Sequence, residues 1–359
     1  MARVVVVGAG LAGLCSALAL ADFGHEVTVL ESGPAPGGQL TYAPQPFTLP
    51  AVLRDLFRKT GRPLERELDV VPADPAVRWV FADGVEVAVP NASPSGTRRA
   101  LDDAFGPGAG AQWDAVVGHG DRSWRELRPI VLGHAGAKPP RSGGTLRDVA
   151  ASLREPRLRA ALESYATRFG ADPATAPAAL TVLPYLEQTF GVWTADLPTL
   201  VGVLAGRAAE RGARFRYDVT VAGPSRDGGR VDGVRLADGT IGADAVVWTA
   251  PPGDLADERR GLFRRRRDHP APAAAAVAAP VPAGTVRFPA GGGRAASWYD
   301  AAGDVHGAAA GRVTALFRRP ANVTKTRGLY LAGAGAHPGP GIPLVALSAS
   351  IVADHIGRA

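Results

Sequence analysis

The hexapeptide Gly8-Ala9-Gly10-Leu11-Ala12-Gly13 is the first stretch whose residue types and spacing imply chemistry. It follows a Val-rich run, Arg3 to Val7, and leads into an apolar stretch, Leu14 to Phe23, that reads as a helix closed by Gly24-His25. Between a strand and a helix, Gly8 permits a tight turn, Gly10 lets the backbone approach a pyrophosphate, and Gly13 permits close helix–strand packing. Around Leu11 and Ala12, unpaired N–H groups and the positive end of the helix dipole favour phosphate oxygens. Glu31 ends a second Val-rich run, Glu26 to Leu30, eighteen residues past Gly13. A carboxylate there accepts hydrogen bonds from the hydroxyls of an adenosine ribose and favours a ribose without a 2′-phosphate. The bland alternative is a glycine turn with no ligand.

The hexapeptide alone does not separate NAD from FAD. Two further motifs favour FAD: Pro36-Gly37-Gly38-Gln39, just past Glu31, and the run Leu329 to Pro343, which contains Gly333, Gly335, His337, Gly341 and Ile342 and leads into a helix. A second strand–loop–helix at the far end of the chain suits a cofactor spanned by both ends, its N–H groups facing a polar edge of the flavin or its ribityl chain. His337 in this loop is the candidate for a catalytic or positioning role, against the alternative of a loop histidine bonding backbone. Tyr185 and Glu187 are candidates to line a substrate cavity, against ordinary helix or strand roles. Cys15 reads as a small core residue, His25 as part of a turn, and Trp79, Trp113, Trp124, Trp193, Trp248 and Trp298 as core. No Ser/His/Asp order, metal-ligand pair or P-loop stands out. That pattern fits flavin chemistry, in which the cofactor takes the hydride and the protein orients and excludes water.

The elements that must position these residues follow from local pattern. Residues 3–30 read as one βαβ unit. Residues 32–50 read as a Pro/Gly-rich loop and 51–60 as a helix with Val52, Leu53, Leu56 and Phe57 on one face. A hairpin is expected over 77–89 with its turn at Asp83-Gly84, and mostly helix over 98–170. A helix from Leu200 to Arg211, a strand at 213–221 and a hairpin-like pair over 230–248 come next. Residues 251–300, rich in Pro, Ala, Gly and Arg, read as the least structured part. A strand at Gly328–Ala332 and a helix from Pro343 to Ile356 close the chain.

Composition bounds the rest. The chain has 359 residues, 46% of them apolar and 21% charged, with one cysteine and a net charge of +6. Such a length holds a large core without staples, and one cysteine excludes an internal disulfide or a multi-cysteine zinc cluster. No apolar run is long enough for a membrane span. Residues 2–7 read as a strand and leave no room for a leader, so a cytoplasmic protein is the expectation. The run Arg264–Arg267 reads as a solvated loop, with weak peripheral membrane contact as the other reading. No nucleic-acid module surrounds it.

Taken together, the chain resembles the FAD-dependent phytoene desaturase-like oxidoreductases, the carotenoid desaturases and isomerases. The resemblance is carried by the hexapeptide with Pro36-Gly37-Gly38 and by Gly333-Ala334-Gly335-Ala336-His337-Pro338-Gly339-Pro340-Gly341-Ile342-Pro343. Weaker blocks are Leu183-Pro184-Tyr185-Leu186-Glu187, Phe190-Gly191-Val192-Trp193 and 213–249. It implies a Rossmann-like α/β fold with a doubly wound parallel sheet built from residues 1–70, 195–250 and 322–359. A smaller α+β cap, 71–194 and 251–321, would be inserted in it. By the same resemblance Gly8, Gly10, Gly13, Leu11 and Ala12 lie at the pyrophosphate and Glu31 at the ribose. Gly37, Gly38 and Gln39 lie beside the cofactor, Val221 near the adenine, and Gly333, Gly335, Gly341, Ile342 and Pro343 near the flavin. The chain departs from the family at Gln39, where an Arg is usual, at Ala336, where a Thr is usual, at Thr194–Pro198, where a glycine pair is usual, and in a shorter stretch between Pro251 and Trp298. The expected activity is hydride abstraction from a small apolar, isoprenoid- or polyene-like substrate, with an unidentified electron acceptor. The alternatives are a redox-neutral flavin-dependent isomerase, a non-catalytic flavin-binding accessory protein and a NAD-dependent enzyme. Oligomeric state stays open.

Overall fold

The computed structural model describes residues 1–41, 46–132, 143–167, 171–250, 255, 285–288, 296–297 and 320–359. Most of 251–319, with Arg264–Arg267 and Trp298, lies outside them, as do Lys138-Pro139-Pro140.

The run Arg3–Val7 is strand β1, and Val4 to Val7 are all buried. It is flanked on one side by β2 (Glu26–Leu30) and on the other by β11 (Ala245–Trp248); β7 (Arg214–Arg216) and β14 (Leu329–Leu331) form the edges, and every pairing is parallel. Alternate side chains of β1 face opposite layers, as period-2 geometry requires. Val4 and Val6 join a core made with helices α1 (Leu11–Asp22), α8 (Leu197–Glu210) and α9 (Ile342–Ile356). Val5 and Val7 join a second core with an antiparallel sheet of β8 (Gly223–Asp227), β9 (Arg230–Leu236) and β10 (Gly239–Gly242). The expected Rossmann-like α/β sheet is therefore present, with helices on one face and a small sheet on the other.

A separate core lies under the sheet β13 (Ala296–Ser297), β12 (Thr285–Arg287), β4 (Val77–Val80) and β5 (Glu86–Val89). Trp79, Phe81 and Val87 pack there against α3 (Pro94–Phe105), α4 (Ala109–Val131), α5 (Leu146–Ala151) and α6 (Pro156–Thr167). The Ser93 hydroxyl caps α3, and Thr145 with Asp148 forms a capping box on α5. A two-stranded ladder of β3 (Val70–Pro72) and β6 (Trp193–Ala195) joins chain segments that flank this core. Helix α2 (Ala51–Lys59) buries Leu53, Leu56 and Phe57, the face expected of it, while α7 (Val182–Phe190) carries Tyr185 and Glu187.

The hairpin turn at Asp83-Gly84 is present, closed by the Gly84 N–H donating to the Phe81 carbonyl at 3.1 Å. Three expectations about boundaries are corrected. Helix α1 begins at Leu11 rather than Leu14, because the last three residues of the glycine motif form its first turn. The strand expected over 213–221 stops at Arg216, since Asp218 turns the chain at φ +56° and donates its N–H to the Gly33 carbonyl. The pair expected over 230–248 is a hairpin only to Gly242; Ala243 and Asp244 then carry the chain into β11 of the parallel sheet. Cys15 is buried in α1, and burial pushes its thiol up to about 12, so it is an inert core residue.

Candidate functional site

The glycine motif forms a closed turn at the C-terminal end of β1. The Gly8 N–H donates to the Leu30 carbonyl at 2.7 Å, and Gly8 sits at φ +98°, a conformation open to glycine. A Cβ on Gly13 would lie 1.8 Å from the Gly8 carbonyl oxygen, so the helix can approach the turn only if residue 13 has no side chain. A Cβ on Gly10, in contrast, would meet nothing within 4 Å. Gly10 therefore lines open space for a ligand's approach, not a packing contact.

Gly10 is also the N-cap of α1, with no side-chain cap and no acidic residue in the first turn. The first N–H groups of a helix have no intrahelical acceptor. Around Leu11, Ala12 and Gly13 they are suited to phosphate oxygens. Gly37 docks on this loop: its N–H donates to the Ala9 carbonyl at 2.9 Å, and Gly10 and Gly37 form a parallel bridge. A Cβ on Gly38 would come within 3.2 Å of the Gly10 Cα. The Pro36-Gly37-Gly38 segment and the hexapeptide are thus one surface, with Gln39 in the turn that follows.

Glu31 stands at the end of β2 with both carboxylate oxygens engaged. Oε2 accepts from the Ala9 N–H at 2.6 Å, and Oε1 from the Gly33 N–H at 2.9 Å. It is a brace for the glycine loop, a role its spacing did not reveal. Tyr217 lies close enough for the Glu31 charge to help burial push its phenol above the ordinary range. Val221 is buried in the core on the antiparallel-sheet side.

The C-terminal motif comes to the same place. A Cβ on Gly333 would lie 3.3 Å from the Ala12 Cβ and 3.9 Å from the Thr249 carbonyl oxygen. Gly341, at φ +101°, is the N-cap of α9, again with no side-chain cap, and Ile342 and Pro343 open that helix. Gly335 and Ala336 form the turn between, with the Ala336 N–H donating to the Gly333 carbonyl. Two helix N-termini, those of α1 and α9, thus belong to one layer.

Residues that sequence reasoning missed hold this loop. Ser348 Oγ donates to the His337 carbonyl at 2.6 Å and accepts from the Gly333 N–H at 3.1 Å. Asn322 Nδ2 reaches the Leu331 carbonyl at 2.9 Å and the His337 carbonyl at 2.8 Å. Both side chains are buried. Thr249 Oγ1 donates to the Val7 carbonyl at 2.8 Å and rests against Gly8. A lone Ser, Asn or Thr carries no motif, so no sequence signal marked them.

His337 is half-buried and lies against the backbone of Ile130 in the last turn of α4. Burial lowers its basicity. His25 is more than a turn residue: it accepts from the Ala2 N–H at 3.2 Å and bonds the Gly357 carbonyl at 2.8 Å, tying both ends of the chain together. Trp79, Trp113 and Trp248 are core, whereas Trp193 is only partly buried, under the Arg54 guanidinium at 5.3 Å. Glu187 accepts from the Tyr165 hydroxyl, while Tyr185 lies on another face of α7 beside Asp121 and Thr189. A concavity of about 550 Å³ near β3 and β6 is lined by Glu65, Glu67, Asp69 and Asp196 and shares no residue with the glycine loop. Among the described residues no group of carboxylates, histidines and cysteine is placed to hold a metal, and no helix is long and apolar enough to cross a membrane.

Comparisons agree with the geometry. The chain is 34% identical over 304 residues to a hydroxyneurosporene desaturase of Cereibacter sphaeroides, covering 75% of this chain and 61% of that one. It is 31% identical to a zeta-carotene-forming phytoene desaturase of Myxococcus xanthus, covering 69% and 53%. The chain thus spans a little over half the length of the curated relatives it matches. An oxidoreductase of Methanosarcina mazei shares the fold over 98% of this chain and all of its own, with TM-score 0.62 at 15% identity. Residues 3–291 match the family described as DAO, FAD dependent oxidoreductase, and the chain belongs to that family, with FAD as its cofactor.

Proposed function

We propose that this chain is an FAD-dependent desaturase or dehydrogenase acting on an apolar, isoprenoid- or polyene-like substrate. The observation that carries the reading is the convergence of Gly10, Gly37 and Gly333 on the uncapped N-terminus of α1, beside the carboxylate of Glu31. In this reading the N–H groups at Leu11, Ala12 and Gly13 hold the pyrophosphate, with Gly8 shaping the turn, and Glu31 accepts from the ribose while bracing Ala9. Gly37, Gly38 and Gln39 flank the cofactor, and Val221 lies toward the adenine. Gly335, Gly341, Ile342 and Pro343 face the flavin end, where α9 offers N–H groups to a polar edge.

FAD, when bound, supplies a two-electron acceptor for a hydride. The chain's own residues bind and orient it, and as the hydride leaves one carbon a proton must leave the neighbouring carbon to water or a side-chain base to complete the double bond. The substrate class comes from the desaturase relatives, and an uncharged chain is selected by cavity shape and apolar lining. The division into a cofactor domain (1–70, 195–250, 322–359) and a cap (71–194, 251–321) is part of this proposal, supported by the separate core under the β4–β5 sheet. His337 acts in it as a positioning residue between loop and cap helix.

Anaerobic incubation of the FAD-loaded protein with a hydrogenated polyene tests the activity. Bleaching of the flavin band with a new conjugated double bond in the product supports it. Isomerised product with no acceptor consumed would transfer support to the redox-neutral reading. Binding of FAD with no turnover of any polyene would leave the accessory reading; the cap residues that bear on it, 251–300, fall mostly outside the described residues.

A further inference from the structure

The core under the four-stranded sheet holds a partly open cavity of about 20 Å³ where β4, α3, α6 and α7 meet. Three of its lining residues bury polar atoms that have no hydrogen-bond partner among the described residues: Trp79 Nε1, Thr97 Oγ1 and both amide atoms of Gln188. These residues are 1%, 2% and 8% exposed. Buried polar groups in folded proteins are nearly always paired, so several orphans around one cavity point to an occupant.

We propose that this cavity is a binding site for one ordered water molecule, which accepts from the Trp79 indole N–H and bridges Thr97 and the Gln188 amide. Size decides first. A water needs roughly 10–15 Å³ of such space, so the cavity admits one water and excludes a polyene or any organic ligand. Donor chemistry decides second. The indole N–H only donates and the Gln188 Nε2 also donates, which opposes a cation. The Glu187 carboxylate in the same wall, already accepting from Tyr165, opposes an anion. A neutral molecule with two donors and two acceptors matches the mixture, and two to four polar partners is the usual number for a buried water.

The water would join β4 to α3 and α7. Trp79 is held for this by its edge-to-face contact with Trp113, with ring centroids 5.2 Å apart at 73°. The site also reassigns Glu187 from substrate lining to a wall of a hydrated pocket, independently of what the enzyme acts on.

The test combines a crystal structure of the full chain with its cofactor and the melting temperatures of Thr97→Val, Gln188→Met and the double variant. A single water-sized peak within hydrogen-bond distance of Trp79 Nε1 is expected. Each single substitution should lower Tm by about 2 °C, with the double falling by less than the sum, because both partners act through one water. A dry cavity, or density for a larger molecule, overturns the proposal. So does a rise in Tm on either substitution, which is the response when an orphaned polar group is replaced by an apolar one of the same shape.

Discussion

The imidazole of His337 lies against the Ile130 carbonyl, which places the C-terminal glycine loop beside the end of α4. The His337 carbonyl is held by Ser348 and Asn322. One residue thus connects the cofactor loop with the helical layer above it. His337→Leu should leave FAD content unchanged, lower Tm by about 2 °C, and reduce kcat/KM about tenfold, mostly through KM. His337→Gln, which keeps a donor, should recover most of both. A loss of kcat with KM unchanged would assign the ring to the reaction itself.

Stability should depend on pH through two histidines. His337 and His119 both have their basicity lowered from the ordinary 6.5, chiefly by burial. The nearby Arg122 adds to the lowering at His119, where Glu126 opposes it. A histidine held neutral in the fold lets the unfolded chain take up protons first. The stability it contributes is therefore full above 6.5 and is lost as pH falls through the lowered folded value. Tm measured downward from neutral pH should begin to fall near 6.5, and the fall should be shallower in the His119→Gln, His337→Gln double variant.

Gly10 and Gly13 should separate binding from folding. Gly10→Ala adds a methyl facing open space, so the chain should fold with unchanged Tm in the absence of FAD and bind FAD at least tenfold more weakly. Gly13→Ala forces a Cβ onto the Gly8 carbonyl and should cost about 1–3 kcal/mol of stability as well as binding. Denaturant melts of both FAD-free variants check the contrast.

Removing the Ser348 hydroxyl leaves the buried Gly333 N–H without its acceptor. Ser348→Ala should therefore cost about 1–3 kcal/mol, read from urea unfolding of the FAD-free chain. It should also weaken FAD binding, since Gly333 packs on Ala12.

The sequence carried the local parts of this architecture well and the long-range parts poorly. The β1–α1–β2 unit and the C-terminal strand–loop–helix were readable because glycine spacing and apolar runs are written contiguously. The braces were not. Thr249 lies 242 residues from Val7, and Ser348 is one of two serines in an otherwise mostly apolar helix. The hairpin misread past Gly242 has the same origin, because the partner of β11 is β1, more than 240 residues away. Glu31 stands out in the sequence by its spacing, but its bond to the Ala9 N–H exists only in three dimensions.

The central claim is that this loop binds FAD. The most direct measurement is denaturing extraction of the purified full chain, with chromatographic identification of the released cofactor, paired with thermal shifts of the stripped protein. The account predicts FAD at close to one per chain, and a rise in Tm with FAD that NAD does not reproduce. Release of no flavin together with stabilisation by NAD alone would contradict it.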